Sequence, residues 1–431
     1  MNYQVLLCAV LIIMPLGVVA SSFAPPHEGA RTFFDYTGEY GPGLNISVPD
    51  KPLTPEGIVK WGIILDASDA QMQYMHRKYI DFVEKHNAYL EREAPRYLPL
   101  TTELADLWKT IGPNTPEVAS QMKKVDQASA RVRRELIALE HGYIDSIQPV
   151  LTPEQSEKAM LLRLEATRRN CRTFWTMARW SHLELRDIWM KSVAAQAVPM
   201  ERDEVEDILA DYERRLTPVI CKRADVVFDI RTRLTELRIA MERGELGRDE
   251  GLARYDALLR RRLDAALQER ALHEEAVKQV QHVLREGLAT KFALAVREAV
   301  FPEIYPDPAA LHVLLETMSS APEFSDEIRR AIALNLHQYR ELYHGKSSDI
   351  ERVCVHWGDQ TEAGVIGFEH QFLPGALREP LEERLQLSRE YLVRLTHLVG
   401  AEIMEGYRSM IPTVLTGKAP AADMQTVDTT D

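Results

Sequence analysis

The sequence predicts an all-α protein built of long helical hairpins packed as elongated bundles, with signs of internal repeats. Three observations carry this. Apolar residues recur at three- and four-residue steps over long stretches, as one face of a 3.6-residue spiral requires. Helix-start signals and prolines punctuate those stretches. No strand-like alternation persists anywhere in the chain.

The stretch from Thr115 to Gln155 shows all of this. Val118, Met122, Val125, Val132, Leu136, Leu139 and Tyr143 line one face, and small Ser129 fills one step. Asn114 or Thr115 can cap the start, with Pro116 in the first turn, where a missing N–H costs nothing. Pro149 stops the helix. Thr152-Pro153-Glu154-Gln155 then starts another, with Thr152 as N-cap and Gln155 placed to reach back to the Thr152 N–H in a capping box.

The remaining elements follow in order. Residues 1–20 carry no charge and read as a signal peptide cut after Ala20, which implies a periplasmic or secreted protein. A retained N-terminal membrane anchor is the alternative. Residues 21–52, with Pro25, Pro26, Pro42 and Pro52 around Phe33, Phe34 and Tyr36, read as an extended arm. A first helical unit spans 53–170. It opens at Leu53-Thr54-Pro55-Glu56, continues in a helix from Ser68 or Asp69 to about Glu93, and adds a shorter piece from Thr102 to Ile111.

The second unit spans 171–301. It holds Trp175, Trp180 and Trp189, then a helix from Asp203 to Arg243 that Pro218 should kink or split. A very long helix from Arg248 to Val300 completes it. The third unit spans 302–415, with helices near Ala309–Met318, Ser325–Tyr343 and Ala376–Met410. Residues 416–431 are small and polar, as in a disordered tail.

Residues 138–159 and 271–292 correspond without a gap. Ala138, Leu139, Gln148, Val150, Leu151 and Lys158 recur as Ala271, Leu272, Gln281, Val283, Leu284 and Lys291. Helix Ser325–Tyr343 also resembles the helix from Asp69 in layout. Two or three related units from duplication are the expectation.

Charge and composition narrow the function classes. A formal net charge of -13 does not suit a nucleic-acid binder. No stretch after the first 20 residues is apolar enough to span a membrane. Signal removal leaves Cys171, Cys221 and Cys354, hence one disulfide at most and one thiol left over. No Gly-x-Ser-x-Gly, phosphate loop or dinucleotide fingerprint occurs, so no cofactor is expected. His273-Glu274-Glu275 lacks the second histidine of a metalloprotease helix. Cys354 with His356 forms the best local ligand pair, where a Gly-bearing stretch begins that runs from Val355 to Gly375 and also holds Asp359, Glu369 and His370. Structural zinc wants four ligands, so a plain connection between helices is the preferred reading of that stretch.

Leu151, Thr152 and Gln155 resemble the motif of the LTxxQ (Spy/CpxP-like) family of bacterial periplasmic proteins. At the two other candidate positions, Gly57 and Ile220 stand where the motif has glutamine. The resemblance implies an all-helical protein that acts as an ATP-independent chaperone or envelope-stress regulator; some related members bind zinc. Three functional expectations result. The first is a non-enzymatic binding protein, chaperone-like, whose partners are unfolded or envelope proteins. The second is a structural scaffold of the envelope. The third is a metal protein or enzyme using the 355–375 stretch. Homo-oligomer formation is compatible with all three.

Overall fold

The computed structural model describes residues 52–112, 115–172, 180–181, 183–302, 304–305, 307, 309–362 and 374–415. The expected signal peptide, nearly all of the arm, the tail, Trp175, Glu369 and His370 lie outside them. Among the described residues every regular element is helical. The helices are α1 (Pro55–Leu65), α2 (Asp69–Ile111), α3 (Pro116–Ile147), α4 (Pro153–Cys171), α5 (Leu185–Ser192), α6 (Pro199–Glu242), α7 (Arg248–Val283), α8 (Glu286–Val300), α9 (His312–Ser320), α10 (Asp326–Glu362), α11 (Pro374–Val399) and α12 (Ala401–Gly406). None of these is long and apolar enough to cross a membrane.

The chain divides into two compact units. One takes residues up to Asp106 together with Lys124–Asn170. The other takes Leu107–Lys123 and the chain from Cys171 onward.

In the first unit the expected caps form. Thr54 Oγ1 accepts the Gly57 N–H at the start of α1. At the start of α4, Thr152 Oγ1 accepts the Gln155 N–H at 3.2 Å, and Gln155 Oε1 accepts the Thr152 N–H at 2.9 Å. This is the reciprocal capping box. Ser68 and Gln71 make a second one at the start of α2. Tyr143 donates to the Met75 carbonyl, and Tyr97 hydrogen-bonds Ser129 at 2.9 Å. The two contacts fall in opposite order along α2 and α3, so these helices run antiparallel. Trp61, Tyr79, Phe82 and Tyr143 pack their rings together in the core.

In the second unit α6 and α7 pair likewise, with Tyr212 at His273 and Arg238 at Tyr255. So do α10 and α11, with Tyr339 at Ser388 and Ser347 at Arg384. Leu311, Leu314, Leu315, Met318, Ile332, Tyr339, Tyr391 and Leu395 form the core that joins α9, α10 and α11.

Several boundaries differ from the sequence expectation. The helix expected to end near Glu93 runs on as α2 through Pro95 and Pro99 to Ile111. Pro218 sits inside α6 and does not divide it. A proline in a helix interior costs about 3 kcal/mol. Around these sites Glu93, Ala94, Tyr97, Leu216 and Ile220 are all buried, and packing of a buried face outweighs local propensity. The helix expected over 248–300 breaks at Leu284 and Arg285, both extended, into α7 and α8. There the break is held by a carboxylate rather than by a proline. Glu201 accepts the Val198 N–H that starts α6 and the Arg285 N–H that starts α8. The last long helix ends at Val399, because Gly400 takes a φ of 90°, which is costly for any other residue.

The same order recurs in the chain: a short helix, two long ones, a break, and a further helix. In the breaks after α3 and α7, Leu151 (φ -86°, ψ 145°), which follows a 3-10 turn at Gln148–Val150, and Leu284 (φ -78°, ψ 142°) share one backbone conformation. With α2, α6 and α10 aligned on Ser68, Val198 and Ser325, Met75, Val205 and Ile332 occupy one position and are all buried. So are Phe82, Tyr212 and Tyr339, and so are Tyr97, Val227 and Cys354. On the second long helix of each pair Ile147, Val280 and Leu395 are buried, and so, seven residues before each, are Glu140, His273 and Ser388.

Candidate functional site

Chemistry-bearing side chains gather most densely inside the α6–α7 pair. Tyr212 and Arg223 project from α6, and Glu269 and His273 from α7, one turn apart. The Tyr212 hydroxyl meets His273 Nδ1 at 2.7 Å. His273 Nε2 faces Glu269 Oε1 at 3.9 Å. Arg223 clamps the other carboxylate oxygen at 2.6 Å, and Ser181 donates to the same oxygen. The Trp180 and Phe301 rings close over this group, with Trp180 stacked on His273.

Burial acts strongly on these groups. It disfavours the imidazolium and holds His273 below its ordinary pKa of 6.5. The ring is therefore neutral, accepts the tyrosine O–H at Nδ1 and presents Nε2–H to Glu269. Burial alone would raise the Glu269 pKa. Arg223, hydrogen-bonded to the carboxylate, and the His273 ring beside it outweigh burial, and the carboxyl falls to about 2. The ion pair is thus formed at neutral pH and fully enclosed, with His273 at 0% exposure and Arg223 at 2%.

A tyrosine, histidine and carboxylate in a row have the composition of a proton relay. Here the group joins two helices and is sealed by aromatic rings. A second buried pair lies nearby: Arg186 grips Glu213 through two nitrogens and also binds Glu206, which accepts from Trp189 Nε1. On the third pair of long helices, Arg384 holds Asp307 at 3.0 Å and Ser347 at 3.2 Å, and Tyr343 donates to Asp307. In the first unit Glu140 pairs with Arg169, and burial pushes its carboxyl up. Each cluster neutralises charge at a core-facing helix position.

The residues singled out from sequence separate. Cys354, His356 and Asp359 were expected in a loop but stand on α10, which extends to Glu362. The apolar and polar steps continue that far, and the glycine Gly358 is absorbed by the helix. Cys354 is buried and His356 is exposed, as their spacing on a helix dictates. Asp359 takes Arg270 of α7 through both oxygens, at 2.8 and 3.0 Å. Glu369 and His370 lie outside the described residues. Among those residues, no three or more His, Cys, Asp and Glu side chains gather as a metal shell. Leu151, Thr152 and Gln155 are brought together at the α3–α4 break.

Tyr212 and His273 fall on the apolar steps of their helices, in line with Leu216 and Val280, and the sequence reading passed over Arg223 and Glu269. The available signal was a charged residue on the inward step of a stripe: Arg223 falls in line with Leu216 and Ile220, and Glu269 with Ala266 and His273.

No known protein family, curated protein or solved structure matches this chain.

Proposed function

We propose that this is an exported, helical binding protein that works without bond-making chemistry, chaperone-like, and holds apolar segments of unfolded or envelope proteins. One observation carries the reading: Tyr212, Arg223, Glu269 and His273 turn inward, while large apolar side chains stand outside. Val59 (47% exposed) and Ile63 (66%) lie one turn apart on α1. Leu334 and Leu342 lie two turns apart on the exposed side of α10, and Met200 is exposed at the start of α6. Apolar side chains aligned on a helix face are contact points for a partner's apolar segment. The LTxxQ resemblance of Leu151, Thr152 and Gln155 supports the same reading.

The test is aggregation of a reduced, unfolding client protein without ATP. Equimolar protein is expected to suppress light scattering, and Val59→Ser with Ile63→Ser to weaken suppression. No effect at equimolar ratio defeats the proposal.

A second reading is favoured by the recurring helix order. In it the chain is a tandem of three duplicated hairpin units that serves as an envelope scaffold. The equivalent breaks at Leu151 and Leu284, and the shared buried positions, support duplication. A fragment of residues 302–415 is then expected to be helical and to unfold cooperatively alone. A fragment that stays unfolded counts against this reading.

A further inference from the structure

Beyond the expected signal peptide the sequence leaves three of its four cysteines, and no rule for pairing them. The structure brings two together. Cys171 closes α4 and is buried; Cys221 lies midway along α6 and is half-buried. Their Sγ atoms are 2.6 Å apart, closer than two unbonded sulfurs ordinarily pack. Cys354 is buried on α10, in a different part of the same unit.

We propose that Cys171 and Cys221 are a disulfide site, with Cys354 the remaining thiol. This stands apart from the binding reading, because it rests on thiol placement alone. The chemistry is a two-electron oxidation by a disulfide oxidant such as oxidised glutathione. Half-buried Cys221 is the sulfur an oxidant reaches. Its thiolate attacks one glutathione sulfur and expels the first reduced glutathione. The Cys171 thiolate then attacks Cys221 Sγ, and the second reduced glutathione leaves. Two thiol protons are released to the two leaving thiolates, and two electrons pass to the oxidant. Cys171 needs no solvent access of its own, because its partner sulfur is already in place.

The experiment uses the full-length native chain, oxidised glutathione, alkylation and peptide mapping without reduction. The expected product has lost two hydrogens, links the Cys171 and Cys221 peptides, and melts a few degrees higher. Cys354 is expected to be alkylated only after denaturation. In Cys171→Ser, a glutathione adduct should persist on Cys221, and Cys354→Ala should leave the link unchanged. A lasting glutathione adduct on the unsubstituted protein, a link to Cys354 or Cys8, or Cys171 and Cys221 both left as unreacted thiols would overturn the assignment.

Discussion

Gln71 and Gln155 lie far apart in sequence yet hydrogen-bond amide to amide, Gln71 Nε2 donating to Gln155 Oε1 at 2.7 Å. Each is the third residue of its own helix and caps that helix's start. Gln71 Nε2 also reaches the Val150 carbonyl, and Gln155 Nε2 reaches the Asp66 carbonyl at 3.1 Å. Two capping boxes thus become one junction that holds α1, α2, the end of α3 and the start of α4.

Gln155→Ala removes a cap and leaves the Asp66 carbonyl and Gln71 without this partner. A loss of about 2 kcal/mol is expected, from the ordinary cost of a lost cap and an unmade hydrogen bond. Gln71→Ala should act similarly. In urea unfolding the double variant should cost less than the two losses added, by about 1 kcal/mol. Strict additivity would mean the two caps act separately.

Asp66 ends α1 in the left-handed region, with φ at 52°. Glycine adopts that conformation without the side-chain penalty. Asp66→Gly should stabilise the chain by roughly 0.5–1 kcal/mol, and Asp66→Val should destabilise it by more. Thermal midpoints of the two variants should move in opposite directions.

Arg223 and Glu269 are each about 2% exposed on their side chains, so neither charge can turn to water. Arg223→Met strands a buried carboxylate and should cost about 3–5 kcal/mol. Adding Glu269→Leu should recover much of that loss. Equilibrium unfolding of the three proteins decides it; a double variant worse than the single one would show that the pair is worth more than apolar packing.

Acid should weaken the fold in two stages. His273 has a folded pKa below the 6.5 of the unfolded chain, so the unfolded chain binds this proton more readily. The stability it contributes is complete above pH 6.5 and is lost as pH falls below it. Burial lowers His141 and His312 in the same way and adds to the slope. Each such histidine contributes at most about 1.4 kcal/mol per pH unit. Glu269, at about 2 against 4.5 unfolded, adds a second loss as pH falls from 4.5 toward 2. Denaturant midpoints measured from pH 8 to pH 5 should fall in the wild type, and His273→Gln should flatten the curve.

Local pattern was sufficient for much of this molecule. The stripe Val118, Met122, Val125, Val132 and Leu136 is buried as its steps require, and Thr152 and Gln155 close the box their spacing predicts. These features depend on residues three or four apart, which a helix alone brings together. Where a stop depended on a distant partner, pattern failed. No proline marks the break at Leu284; Glu201 of another helix holds it.

Helicity, the inward faces and the caps were therefore determined by the sequence itself, because they are short-range properties of one chain segment. Which cysteines meet, how Arg223 finds Glu269, whether Pro95, Pro99 and Pro218 interrupt a helix, and what Gln155 does beyond its own cap were decided only by tertiary structure. Each of those depends on which side chain another part of the chain places opposite, and such packing is strong enough to override local preference.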